Sequence, residues 1–229
     1  MNKKSIKKQI TELLNAKAPA KQNVFDKTKG VFSELKSILI EIEKEYNDVL
    51  TTDDERIRLK YKDRGAFVAQ LKVAGDVLIF NMHTNTFEFD RDHEIWKQPY
   101  SKEDTANTYC GVIYFYNFLF DSFKYKRFDD IGYLVARLFV NKDGFFFVEG
   151  KRQRGMGVNS FGKKKLSRES LKKIIEVAVF YSLSFDLLVP PYDDMIMITL
   201  MQVEQEVLQS GIKTGKRLGF QYKSDDVKG

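Results

Sequence analysis

The sequence predicts an α+β fold: an antiparallel sheet (a meander plus a later hairpin) covered by helices, with a basic N-terminal arm. Three observations predict it. Residues 30–49 carry one apolar stripe at helical spacing. Residues 57–89 alternate apolar and polar side chains between turn residues. Two strand-like runs flank Asn141-Lys142-Asp143-Gly144. With 229 residues, 43% of them hydrophobic and 31% charged, the chain suits one domain with an appendage. The divisions read from it are an arm and linker over 1–28, an α+β domain over 29–212 and a polar tail over 213–229.

Taken in order, residues 1–14 place Ile6, Ile10, Leu13 and Leu14 at helical spacing, which predicts a short amphipathic helix. Residues 16–23, with Pro19, read as a linker. So short a helix is marginal alone, and the arm is expected to order on a partner or on the body. Across 30–49, Val31, Leu35, Ile38, Leu39, Ile42, Tyr46 and Val49 form the stripe of the first body helix. Strands are predicted over 57–62, 66–73, 77–83 and 86–89, parted by Asp63-Arg64-Gly65, Gly75-Asp76 and Thr84-Asn85. Residues 91–100 connect. Ser101-Lys102-Glu103-Asp104 has the form of a helix cap, and 105–123 is read as a buried helix, although Val112-Ile113-Tyr114-Phe115-Tyr116 favours a strand. Residues 132–140 and 145–150 read as a hairpin. Ser167 caps a helix to about residue 184, Pro190-Pro191 breaks the chain, and a last helix is expected over about 193–209.

Composition excludes several classes. Cys110 is the single cysteine, so no intrachain disulfide forms, and with only His83 and His93 a zinc site of His and Cys is excluded. Neither a signal-peptide core nor a run of roughly 20 apolar residues is present, so a cytoplasmic protein that makes no membrane contact is expected. Charge is localised. Residues 1–30 hold eight lysines against Glu12 and Asp26, residues 150–168 hold seven cations and no acid, and the remaining body is net acidic.

Two segments attract attention as binding sites. The loop over 150–168 combines Lys151, Arg152, Arg154, Lys163, Lys164, Lys165 and Arg168 with four glycines, a composition suited to nucleic acid, a phosphorylated ligand or an acidic protein surface. Phe123-Lys-Tyr-Lys-Arg-Phe128 interleaves rings with cations, as single-strand binders do, though such a segment more often buries its rings and exposes its amines.

Glu149-Gly150-Lys151 ends an apolar strand, and Asp129-Asp130 precedes the strand before it. This Asp…Glu-x-Lys pattern resembles that of the PD-(D/E)xK nucleases. The resemblance, confined to these few residues, implies a Mg or Mn ion held by Asp129 or Asp130 with Glu149, and a water assisted by Lys151. Pairing Val140 with Phe145 would set Glu149 opposite Ala136, and Asp130 roughly 13 Å beyond the Lys151 row at ~3.3 Å per residue. The reading placed first is a non-catalytic binding or adaptor protein that meets an anionic partner through the loop and the arm. The nuclease comes second, and a self-associating subunit of a larger assembly third.

Overall fold

A computed structural model of the chain describes residues 5–150, 152–153, 155–184 and 201. Its first element, α1, runs unbroken over Ile6–Val49, through Pro19. The predicted linker is therefore helix. Proline forgoes one intrahelical hydrogen bond, but its neighbours Ala16, Lys17, Ala18, Ala20 and Lys21 are strong helix formers. Contacts with the body reinforce the segment: the Thr86 hydroxyl donates to the Lys21 carbonyl, and Lys17 and Lys21 reach over the Tyr109 ring. Ile6, Ile10, Leu13 and Leu14 stand exposed, whereas Val24, Val31, Phe32, Leu35, Ile38, Leu39 and Ile42 are buried.

Six strands follow: β1 (Lys60–Asp63), β2 (Val68–Val73), β3 (Asp76–Met82), β4 (Cys110–Leu119), β5 (Tyr133–Asn141) and β6 (Phe146–Gly150). They form one antiparallel sheet in the order β1-β2-β3-β4-β5-β6. The segment read as a buried helix over 105–123 is thus corrected to β4, which joins the predicted meander to the predicted hairpin. Its β-branched and aromatic run won over the cap signal, which belongs to two short turns upstream: α2 (Pro99–Glu103) and a 3-10 turn, Thr105–Thr108. The strand expected over 86–89 is reduced to a single bridge between Phe87 and Cys110.

The β5–β6 turn is one residue longer than predicted. Asn141 Oδ1 accepts from the backbone N–H groups of Asp143 and Phe145, and Gly144 takes φ +82°. Val140 therefore faces Phe146, and Glu149 faces Arg137 rather than Ala136. A short helix, α3 (Phe120–Lys124), follows β4, and α4 (Arg168–Leu183) begins at Ser167, whose hydroxyl caps it as the sequence predicts. The helix expected over 193–209 and the tail lie outside the described residues.

One sheet face is the main core. Leu71, Leu78, Phe80, Ile113, Phe115, Leu138 and Val148 pack there beneath α1 and α4. A second cluster covers one end of the opposite face, where Val112, Phe139 and Phe147 meet Ile95 and Phe161. The rest of that face is open enough to leave Ile79, Tyr114, Tyr116 and Phe118 partly exposed and Leu134 exposed.

Candidate nucleic-acid interface

On the edge strand β1, Lys60 and Lys62 pair with Lys72 and Gln70, so all four point to the face away from α1. Lys60 opposite Lys72 is a like-charge cross-strand pair, an unfavourable arrangement in a sheet. Lys72 is buried, and its Nζ donates to the carbonyls of Arg56 at 2.7 Å, Glu55 at 3.3 Å and Arg58 at 3.4 Å. Burial holds its pKa below the ordinary lysine value, with the Lys60 charge adding to the effect. Lys72 is accordingly a structural residue that fastens the turn over 54–58. Lys60 and Lys62 are exposed and form no ion pair among the described residues. Edge lysines also deter pairing with another chain. That explains their place on β1, but not what lies across from them.

Across from them an open groove of about 1260 Å³ separates the β1 edge from the segment that follows β4. Arg58, Lys60, Lys62, Arg64, Lys124 and Lys126 line it, and its acidic lining is Glu43, Glu55 and Asp130. Arg58 is already paired with Asp53 and Glu55. Arg64 donates from Nε to Gln70 Oε1 and lies over the Phe123 ring at 5.2 Å, while Phe123 meets Phe118 edge-on at 5.7 Å. The chain then returns over the Phe118 ring at Gly132, where a Cβ would stand 2.3 Å from it, so no larger residue fits without displacing the ring.

The tip of this wall is built inside out. Lys126 takes the left-handed region, φ +52°, and the next side chain turns into the protein. Arg127 Nε donates to Asp130 Oδ2 at 2.9 Å, and the Ser122 hydroxyl donates to the same oxygen at 2.7 Å. The Arg127 and Asp130 side chains are 4% and 3% exposed. Phe128, beside this lock, is 90% exposed, and Lys126 is exposed with it. The common arrangement, rings inside and amines outside, is reversed at Arg127 and Phe128.

From the groove the open face continues inward. Lys62, Gln70, Ile79, Tyr116 and Leu134 occupy one ladder row across five strands. Asn81, Tyr114, Arg137 and Glu149 form the adjacent row. The Tyr114 and Tyr116 rings stack with their planes 22° apart.

The loop residues singled out from sequence are dispersed. Arg168 is held by α1, with hydrogen bonds to Ser37 and Glu41 and a contact to Glu34. Arg152 lies over the Phe180 ring at 5.3 Å. Lys163, Lys164 and Lys165 stand exposed beyond β6, the last over Phe145 at 5.6 Å. Lys151 and Arg154 lie outside the described residues.

Of the nuclease pattern, the described residues Asp129, Asp130 and Glu149 do not form one carboxylate cluster. Asp130 is engaged by Arg127 and Ser122, and Asp129 is exposed beside it. Glu149 accepts from Arg137 and lies 3.6 Å from His93 Nε2. Among the described residues no three His, Cys, Asp or Glu side chains come together as a metal requires. Also among them, no helix is long and apolar enough to cross a membrane.

Sequence reasoning passed over Lys60, Lys62, Tyr114 and Tyr116. A signal for the lysines existed: Arg58-x-Lys60-x-Lys62 repeats at the strand period. No protein-family model, curated protein or solved structure matches the chain.

Proposed function

We propose that this chain is a non-catalytic binding protein for an anionic polymer, and that nucleic acid is the polymer its chemistry fits. Phe128 carries the reading: a phenyl ring 90% exposed beside an exposed lysine, on a turn fixed from within by a buried ion pair. With Lys126 exposed beside it and Lys60 and Lys62 across the groove, the ring suits a partner that brings both a flat apolar surface and negative charge. Nucleic acid brings both. Lys60 and Lys62, on the far wall of the groove, are placed to neutralise phosphates.

Support for a catalytic reading is weaker. The nuclease alternative, with Mg or Mn, requires Asp129 or Asp130 beside Glu149, and Asp130 and Glu149 each already have a cationic partner.

The test is fluorescence anisotropy with labelled oligonucleotides over a salt series. Binding is expected to fall steeply with salt. In the Lys60→Ala/Lys62→Ala/Lys126→Ala variant the slope of log K against log salt should be shallower by about 2, since each phosphate contact on a single strand contributes ~0.7. An unchanged slope would assign the binding to another surface. Tight binding to poly-glutamate with none to oligonucleotides would transfer the site to an acidic protein partner.

A further inference from the structure

Resting on the nucleic-acid reading, we infer that the groove takes a single strand, whose bases turn onto the open sheet face at Tyr114 and Tyr116. The arrangement of the ladder rows carries this. Lys62 on β1 and Tyr116 on β4 share one row and one face, three interstrand steps apart, or roughly 14 Å at ~4.8 Å per step. A backbone held at Lys60 and Lys62 thus lies beside a surface over which its bases can extend toward the tyrosines.

That surface has the character bases require. Tyr114 and Tyr116 are only partly buried, and their rings stack with each other. Asn81, paired with Tyr114 and on the same face, makes no hydrogen bond through its side-chain amide among the described residues. Among these residues nothing competes with a base edge for the amide. Stacking on aromatic side chains tolerates any base, because every base has a π face.

Duplex does not fit. Its bases are stacked on one another and its phosphates lie outermost. Its major groove, roughly 12 Å wide, admits a helix or a two-stranded ribbon, not the face of a broad sheet. One exposed ring and two partly buried ones near a lysine-lined edge would gain little from a duplex backbone.

The experiment compares three labelled probes of equal length on the full chain: a single strand, the same sequence as duplex, and a single strand whose central nucleotides are abasic. The single strand should bind at least about tenfold more tightly than either of the others, since base stacking contributes a large share of single-strand affinity. The Tyr114→Ala/Tyr116→Ala variant should bind the intact strand about as weakly as the wild type binds the abasic one, while Tyr114→Phe/Tyr116→Phe retains binding within about twofold. If the abasic strand or the duplex binds as well as the intact strand, and binding still depends on Lys60, Lys62 and Lys126, this inference fails and the broader reading stands. If no probe binds, the broader reading fails with it. The abasic probe is read on the wild type, so a poorly folded tyrosine variant cannot blur the outcome.

Discussion

Arg127 and Phe128 are adjacent in sequence and opposite in role. Arg127 and Asp130 form an ion pair almost wholly removed from water, and Asp130 also accepts from Ser122, so loss of its carboxylate breaks a buried polar network. Asp130→Ala is therefore expected to lower stability by about 3–5 kcal/mol in urea denaturation. Phe128→Ala should leave stability within about 0.5 kcal/mol, as an exposed side chain does, while weakening oligonucleotide binding by about 1–3 kcal/mol. A Phe128→Ala variant that unfolds easily would mean the ring belongs to the core of the turn and not to a ligand. Sequence marked the segment by its interleaved rings and cations, but the direction each side chain takes was not legible. It depends on the left-handed turn at Lys126, a residue type with no preference for that conformation, and on an Arg-x-x-Asp pair whose closure only burial rewards.

At the scale of elements, α1 and α4 are bound by more than their apolar faces. Glu41 accepts from Lys172 Nζ at 2.7 Å and from Arg168 at 2.7 Å, and Lys172 also reaches Glu45 at 2.7 Å. The Lys172 hydrogen bond first, and that of Arg168 second, bring the Glu41 pKa from the ordinary 4.5 down to about 2. A carboxylate whose pKa falls on folding contributes stability above its unfolded value and loses it as pH drops toward the folded one. The melting temperature of the wild type should therefore exceed that of Glu41→Gln at neutral pH, and the two should converge between about pH 4.5 and pH 2. A gap that persists at pH 2 would remove the ionised carboxylate as its cause. Residues 30–49 of α1 were legible from their apolar stripe and α4 from the Ser167 cap, whereas the part of α1 around Pro19 was not. Arg168 was not legible as their link: in sequence it is one more cation of a basic loop, and only the approach of Glu34 and Glu41 from 127 or more residues away gives it a structural task. The strand β4 was misread for a related reason. Its open face carries Tyr114, Tyr116 and Phe118 and its covered face Ile113 and Phe115, so large apolar side chains fall on both faces and the sequence lacks the polar alternation that separates strand from helix.

For the molecule as a whole, the sheet sets the distance between its basic features. The groove lies at the β1 edge, and Lys163, Lys164 and Lys165 lie beyond β6 at the other. Five interstrand steps separate these edges, roughly 24 Å at ~4.8 Å per step, whereas charge is screened within about 8 Å at physiological ionic strength. Neither patch therefore adds to the other's local potential, although in sequence both contribute to one net charge of +6. Counting cations along the chain pointed to the lysine-rich loop because there they are contiguous. The groove assembles its own from β1, from the turn after it and from the segment after β4, and contiguity in space is what a polyanion meets. A short oligonucleotide, too short to reach from one edge to the other, should distinguish the two sites. Lys163→Ala/Lys164→Ala/Lys165→Ala is expected to bind it within about twofold of the wild type at physiological salt, while Lys60→Ala/Lys62→Ala/Lys126→Ala binds it at least about tenfold more weakly. The reverse order would return the site to the loop. Equal losses from both variants would remove the groove as the site that holds the strand.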